Sequence, residues 1–221
     1  MKLFRKSFLF FCLLFSLLFL NSSNLYSQNQ TDSTAIYYEL SNNKSKSIKQ
    51  RLDYINKVIS LSSQNNNKEF LLNGLNRKSY LYTKLGYYNT AITISKQLLK
   101  ESTKAKDTSK VLLSYKNLAD YSRLNDSLFH AFNYYQEHKL LSLKQKDSMG
   151  AIRDLRFMAS IQYKLGVLHE SESTAVEGIT ILDALKETDE TLESKIGLYN
   201  HLGIIYKELG NYRGALELYN K

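Results

Sequence analysis

The hydrophobic and polar positions near the end of the chain follow the pattern of two amphipathic helices joined by a glycine turn. In the stretch from Tyr199 to Lys221, apolar and small residues recur at helical spacing on either side of Gly210. They are Tyr199, Leu202, Gly203, Tyr206, Tyr212, Ala215 and Tyr219. Gly210 would end the first helix, because glycine readily adopts the left-handed conformation that closes a helix. Gly203 and Ala215 would let the two helices cross closely, and the three tyrosines after Gly203 would fill the space beside them.

The same pairing of helices recurs upstream at a nearly constant period, which predicts an internal repeat. The equivalent small residues are spaced by 40, 40 and 44 positions and are Ala91, Ala131, Ser171 and Ala215. Arg51 occupies the corresponding position near the start. We predict a flexible segment at 28–33 and then repeats, the last one truncated, at about 34–64, 69–102, 109–145, 149–185 and 193–221. The polar stretches at 100–110 and 186–194 indicate lengthened helices joined by wider turns.

These aromatic, L-G, G-x-Y and alanine positions resemble the tetratricopeptide repeat (TPR) family. The resemblance is complete in the last repeat and partial in the earlier ones, whose period exceeds the family's basic length of about 34 residues. It implies an all-α fold, namely a right-handed α-solenoid of antiparallel helix hairpins with about 4.5 repeats. An irregular helical bundle with coincidental small residues is the alternative. The absence of proline removes the usual helix stop between repeats of this family.

The first 27 residues have the composition of an export signal. Three basic residues precede an apolar run of 13 residues, Phe8 to Leu20, which is shorter than the roughly 18 to 20 residues of a membrane-spanning helix. Cleavage after Ser27 would leave Gln28 as the new N-terminus, and an uncleaved anchor is the alternative. We therefore expect an exported, periplasmic protein, or one held at the periplasmic face of the inner membrane if the full-length protein is anchored.

Composition and charge narrow the class of protein further. The chain has no proline and only nine glycines, which favours long helices over sheets with tight turns. Its single cysteine, Cys12, lies in the export signal, so the exported protein would contain no disulfide. Removing the signal lowers the formal net charge from +9 to +6. Because the lysines are scattered rather than clustered, we expect no nucleic acid partner for this segment.

The sequence contains no arrangement of residues typical of catalysis. None of the four histidines, at positions 130, 138, 169 and 201, has a second histidine at the spacing of a helical metal site, so we predict no metal. His130 and His138 would lie about 80° apart around a helix and are expected to be partly exposed. Phosphate-binding, dinucleotide-binding and nucleophile-elbow motifs are absent, and the acidic residues lie mostly in polar connectors. We therefore expect neither enzyme activity nor a cofactor.

The TPR resemblance also implies which residues face a ligand. In this family the first helix of each repeat lines a concave groove, whose positions fall here on Asn73, Asn76, Tyr80, Lys84, Lys116, Asp120, Arg123, Arg153, Arg156, Tyr163, Lys164, Asn200 and Lys207. Seven of these residues are basic and one is acidic. Some family members hold a peptide's terminal carboxylate with such side chains, so we predict a protein or peptide partner with an acidic segment or a C-terminal carboxylate. A basic face that is merely solvated is the alternative.

The implied function is that of a non-catalytic, protein- or peptide-binding scaffold in the cell envelope. Exported arrays of this composition look like those of Bacteroidetes-type bacteria, where they often precede a membrane helix and a histidine kinase or helix-turn-helix domain. Because the last repeat ends before its second helix is complete, we expect these residues to be the sensory input region of a longer signal-transduction protein. The alternative is a free-standing periplasmic adaptor for envelope protein assembly. An enzyme would require a catalytic domain beyond this segment.

Overall fold

The computed structural model describes residues 33–220, and in these residues it contains ten helices and no strand. The predicted all-α class is therefore confirmed. In chain order the helices are α1 (33–42), α2 (Ile48–Gln64), α3 (Lys68–Lys84), α4 (Tyr88–Ala105), α5 (Thr108–Leu124), α6 (Leu128–Lys144), α7 (Ser148–Lys164), α8 (Leu168–Asp183), α9 (Asp189–Glu208) and α10 (Tyr212–Tyr219). The predicted export signal lies outside the described residues.

The six turns from α2 to α8 share one geometry, which repeats every 20 residues. A residue with positive φ follows α2 to α7 in turn, and these residues are Asn66, Gly86, Lys106, Asp126, Lys146 and Gly166. In several turns the amide of the next residue bonds back across the end of the helix, for example from Asp107 N to Ser102 O at 3.0 Å. This Schellman arrangement satisfies the last carbonyls of a helix without proline.

The 40-residue period therefore consists of two long helices and two tight turns. The prediction of a wider turn at 100–110 is wrong, because α4 and α5 occupy almost all of that stretch. The longer last period comes from α9, which has 20 residues instead of 17, and from the five-residue connection at 184–188 between α8 and α9. Most new helices begin at a capping side chain that accepts a hydrogen bond from an amide three residues later, as at Asn67, Asp107, Asp147 and Asn211.

Residues 33–220 fall into two compact units, 33–85 and 86–220. The first contains α1 to α3 around a core of Ile55, Val58 and Leu81. Arg51 takes the place of the small residue of the other repeats, and its Nε donates to Ser41 O at 2.8 Å. The Nη2 of Arg77 donates to the same carbonyl at 3.2 Å. Both guanidinium groups therefore lie at the last turn of α1, where the helix dipole favours positive charge.

In the second unit, small residues mark where the two helices of a hairpin approach closely. Ala119 and Ala131 are fully buried in one cluster where α5 meets α6. Between α7 and α8, Ser171 Oγ donates to Ala159 O at 2.7 Å. The expectation that Tyr212 fills the space beside Gly203 is wrong, because Tyr212 is 70% exposed. The ring of Tyr219 takes that space instead: a Cβ atom added to Gly203 would lie 2.3 Å from its Cε1.

Consecutive hairpins are packed through one recurring pair of buried positions, which we call the interface pair. One member lies on a second helix and the other on the following first helix, giving Val58 with Gly74 in the first unit, and His138 with Asp154 and Gly178 with Leu198 in the second. The 40-residue register assigns Leu98 and Ser114, which are both buried, to the same two positions in the second unit. Three of the four pairs combine a large apolar side chain with a small residue. A Cβ added to Gly178, for example, would lie 2.9 Å from Cδ1 of Leu198.

The pair between α6 and α7 is the exception, because both of its members are ionisable. His138 is 5% exposed and Asp154 is fully buried, and Nδ1 of His138 is paired with Oδ2 of Asp154. The expectation that His138 is partly exposed is therefore wrong, and Asp154 departs from the expected placement of acidic residues in polar connectors. The physical reason is the 40-residue period, which places His138 at the core position that Leu98 occupies one repeat earlier.

We predict that removing one member of this pair costs far more stability than replacing both. Asp154→Ala should lower the free energy of unfolding by about 3 kcal/mol or more, because it leaves His138 buried without its partner. The double variant His138→Leu/Asp154→Ser copies the pair of the preceding repeat and should change the stability by less than about 1.5 kcal/mol. Urea unfolding of the three proteins measures the difference. Equal destabilisation by both variants would contradict this interpretation.

Candidate ligand-binding site

The structure places the predicted groove residues on first helices in both units. In the first unit, Asn73, Asn76, Tyr80 and Lys84 follow one another along α3. The ring of Tyr80 there lies between two cations, with Arg77 Cζ 5.2 Å and Lys84 Nζ 5.3 Å from its centroid. In the second unit the predicted residues lie on three helices: Lys116, Asp120 and Arg123 on α5, Arg153, Arg156, Tyr163 and Lys164 on α7, and Asn200 and Lys207 on α9.

Two of these residues share a cavity between α7 and α9. The cavity has a volume of about 260 Å³ and is lined by Arg153, Arg156, Phe157, Ser160, Gly197, Leu198 and His201. We call it the α7–α9 pocket. It combines two guanidinium groups, a hydroxyl and an imidazole with one aromatic wall. The two guanidinium groups and the hydroxyl can donate several hydrogen bonds to an oxyanion, and guanidinium groups form the strongest bonds of this kind.

Arg153 is held by the buried carboxylate that follows it in α7. Its Nη2 donates to Oδ1 of Asp154 at 2.9 Å, while the other oxygen of Asp154 is paired with His138. The Nε of Arg153 is buried and has no hydrogen-bond partner among the described residues. Since a buried donor without a partner is costly, this atom is a candidate for contact with a ligand oxygen.

Arg156 supplies the second cation of the α7–α9 pocket, and a glycine makes room for it. The side chain of Arg156 is exposed. A Cβ atom added to Gly197 would lie 2.9 Å from Nη2 of Arg156, so the guanidinium rests against the bare backbone of α9. Any larger residue at position 197 would displace Arg156 from this place. Gly197 is therefore a residue that shapes the pocket, and no feature of the sequence motif singled it out.

His201 contributes a neutral imidazole whose tautomer follows from its contacts. Nε2 of His201 lies 2.9 Å from Ser171 Oγ, and that hydroxyl donates its only hydrogen to Ala159 O. Nε2 must therefore carry the proton and donate, which leaves Nδ1 with a lone pair. Burial lowers the pKa of His201 below its ordinary value, and the nearby Ala159 carbonyl partly opposes this effect. The neutral form is thus favoured at neutral pH.

The remaining predicted groove residues of the second unit lie outside the lining of the α7–α9 pocket. Arg123 is already engaged: its Nε donates to Tyr135 Oη at 3.2 Å, and its Cζ lies 4.7 Å from the centroid of the Phe157 ring. The Tyr135 hydroxyl donates in turn to Oδ1 of Asp120 at 2.6 Å. Tyr163 packs edge-on against His201, with ring centroids 5.8 Å apart.

The other exposed cations and Asn200 extend the polar character of the same helices. Lys164 and Lys207 lie exposed near the ends of α7 and α9, and Asn200 is exposed in the middle of α9. Ser160 and His201, which line the pocket, were missed by the prediction because a serine and a lone histidine carry no motif of their own.

In the described part of the chain, no group of three or more potential ligands is placed to hold a metal ion. No helix among residues 33–220 is long and apolar enough to cross a membrane.

We predict that His201 makes the protein less stable as the pH falls. Because its folded-state pKa is lowered, the unfolded chain takes up a proton first, and stability present above about pH 6.5 is lost as the pH drops towards the folded pKa. His201→Gln keeps a donor for Ser171 and should reduce this loss, which can reach about 1.4 kcal/mol per pH unit for one proton. Urea unfolding at about pH 7 and pH 5 provides the measurement. An unchanged slope in His201→Gln would contradict the assignment.

Comparison with known proteins finds similarity in structure and not in sequence. No family model matches the chain, and no curated protein matches it significantly. A signal transduction ATPase from Pyrococcus horikoshii with a tetratricopeptide repeat sensor aligns with a TM-score of 0.70 and 16% identity, over 86% of this chain and 31% of that protein. The nearly identical TPR-like repeats assigned to a kinesin light chain of Podosopora anserina align with a TM-score of 0.66 and 14% identity, over 87% and 92% of the two chains.

A third similar structure is BtubC from P. vanneervenii, with a TM-score of 0.62 and 14% identity, over 88% of this chain and 87% of that one. At such low identity these similarities concern the backbone arrangement alone. The chain has the tetratricopeptide-like helical repeat fold.

Proposed function

We propose that this chain is a non-catalytic scaffold that binds a protein or peptide, and that an acidic segment or C-terminal carboxylate of the partner occupies the α7–α9 pocket. The observation that carries the proposal is the meeting of Arg153 and Arg156 in one cavity with the hydroxyl of Ser160. Two cations held on rigid helices around a partly closed space strengthen charge-assisted hydrogen bonds to a carboxylate. The orphan Nε of Arg153 adds a donor that the described part of the chain leaves unused.

The fold supports a binding role, since TPR-like repeats present extended surfaces rather than catalytic clefts. In the ATPase from P. horikoshii, the similar segment is part of a protein described as having a tetratricopeptide repeat sensor. We propose by analogy that this chain acts as the sensory input region of a signal-transduction protein at the periplasmic face of the membrane. A free-standing periplasmic adaptor for envelope protein assembly is the second candidate, because binding a peptide in the pocket would serve either role.

The binding proposal predicts that an acidic peptide loses affinity when the two arginines are neutralised. The probe is fluorescein-labelled hexaglutamate, titrated by fluorescence anisotropy with a free and with an amidated C-terminus. Arg153→Gln/Arg156→Gln should weaken binding by about tenfold or more, because each arginine offers charge-assisted hydrogen bonds. A larger effect on the free form than on the amidated form would assign the pocket to the terminal carboxylate.

The matched control is Lys164→Gln/Lys207→Gln, which removes the same net charge from α7 and α9 outside the lining of the pocket. It should weaken binding by no more than about two- to threefold, the effect of a screened surface charge. Equal losses in both double variants would show that the peptide responds only to net charge. Unchanged affinity in Arg153→Gln/Arg156→Gln would exclude the pocket as the binding site.

The envelope role predicts that the protein is exported and processed. N-terminal sequencing of the protein recovered from the periplasm should give a chain that begins at Gln28. Recovery of the unprocessed chain from the cytoplasm would contradict the localisation. The gene downstream of the Lys221 codon then separates the two roles: a membrane helix followed by a kinase or helix-turn-helix domain supports sensing, and further repeats alone support the adaptor.

A further inference from the structure

We propose that the buried His138–Asp154 pair is a positioning device that holds Arg153 in the orientation needed for ligand binding. The proposal rests on the proposed function, because it assumes that the α7–α9 pocket binds a negatively charged group. It goes further by assigning a role to two residues that lie behind the pocket, at the interface between α6 and α7, and do not line it.

Packing alone does not require the His138–Asp154 pair. The three other interface pairs are Val58 with Gly74, Leu98 with Ser114, and Gly178 with Leu198, so the same fold is built there without a charge. A buried ion pair is often no more stabilising than an apolar pair of similar volume, because both groups lose their hydration. The ionisable pair between α6 and α7 therefore has a reason other than stability.

Asp154 joins the interface to the pocket through its two oxygens. Oδ2 is paired with Nδ1 of His138, and Oδ1 accepts a hydrogen bond from Nη2 of Arg153 at 2.9 Å. The Oγ of Ser142 lies 3.3 Å from the same nitrogen of His138. A fully buried carboxylate held in this way cannot rotate freely, so it fixes one edge of the Arg153 guanidinium.

The flexibility of an arginine side chain makes its orientation before binding important. Arginine has many rotamers, and ordering it during binding reduces affinity. The carboxylate of Asp154 restricts Arg153 before the ligand arrives, while Nε remains without a partner in the described residues. Asp154, the next residue in the sequence, thus preorganises the side chain of Arg153 for binding. Arg156, which rests against Gly197 and is exposed, has no comparable anchor within the described pocket.

Positioning and simple electrostatics predict effects of opposite sign, which makes the proposal testable. Asp154 is a negative charge beside a pocket for anions, so electrostatics alone predicts that its removal tightens anion binding. A positioning role predicts that replacing the carboxylate of Asp154 together with its partner His138 weakens anion binding. Asp154→Asn separates the two effects, because its amide keeps an acceptor for Arg153 and a group that can pair with His138 while the charge is lost.

The test measures the affinity of labelled hexaglutamate for the wild type, Asp154→Asn and His138→Leu/Asp154→Ser. Each variant is first checked for native helix content and cooperative unfolding. We expect Asp154→Asn to bind as tightly as the wild type or more tightly. The double variant, which has the interface pair of the preceding repeat, should bind about 3- to 10-fold more weakly. A double variant that binds as tightly as the wild type, or more tightly, would overturn the proposal.

A second readout needs no ligand. The Nε–H signal of Arg153 in ¹H–¹⁵N spectra, assigned by its loss in Arg153→Gln, should be visible near neutral pH in the wild type and in Asp154→Asn. It should exchange away in His138→Leu/Asp154→Ser, because a released guanidinium meets solvent. Equal visibility in all three proteins would overturn the positioning role. If Arg153→Gln/Arg156→Gln retains wild-type affinity, the binding site is wrong, and this signal alone then decides whether the pair holds Arg153.

Discussion

The packing of each second helix against the first helix of the next hairpin is the constraint on which the rest of the structure depends. The interface pair must fill a nearly constant space, so a large side chain on one helix requires a small residue on the other. Leu198 fills this space against Gly178. Leu98 and Ser114 occupy the equivalent buried positions in an earlier repeat. The close packing of protein interiors makes this volume rule strict. It also keeps the first helices in register, which brings Arg153 and His201 to one cavity.

His138 and Asp154 satisfy the same constraint by a different kind of chemistry. They fill the space with a paired imidazole and carboxylate instead of an apolar and a small group. Because the pair is buried, its charge is satisfied only by groups that the helices carry, and one of these is Arg153. The interior of one repeat interface is thereby connected to the surface that we propose binds a ligand. The carboxylate of Asp154 therefore contributes both to the packing of the repeats and to the proposed ligand site. Among the described residues, the other interface pairs contain no such group.

The fold was largely predictable because small residues at a fixed spacing leave a strong signal. Ala91, Ala131, Ser171 and Ala215 indicated the repeat, and all four are buried. The tight turns were harder to predict, since four of the left-handed positions in the described residues hold lysine, asparagine or aspartate and three hold glycine. Lys106 and Lys146 adopt positive φ because the helices on both sides impose it. The sequence alone does not indicate that the surrounding structure will impose a positive φ on a lysine.

The candidate site was predictable only in part, for a related reason. The family frame named Arg153 and Arg156, but it gave equal weight to Arg123, whose guanidinium is engaged by Tyr135 and Phe157. Side-chain contacts of this kind depend on neighbouring repeats and leave no local pattern. The His138–Asp154 pair could have been found by extending the 40-residue register from Leu98, because that step places a histidine at a core position. A single histidine has no periodicity of its own, so His138 was predicted to be partly exposed.

The measurement that tests the central claim most directly is a map of amide chemical shifts on titration with hexaglutamate. ¹H–¹⁵N spectra of the assigned protein should show their largest changes at Ser160, Gly197 and His201, with smaller changes further along α7 and α9. Such a cluster would place the bound peptide at the α7–α9 pocket. Changes that are centred on another part of the chain, or a spectrum that does not change at saturating peptide, would contradict the claim that this pocket is the ligand site.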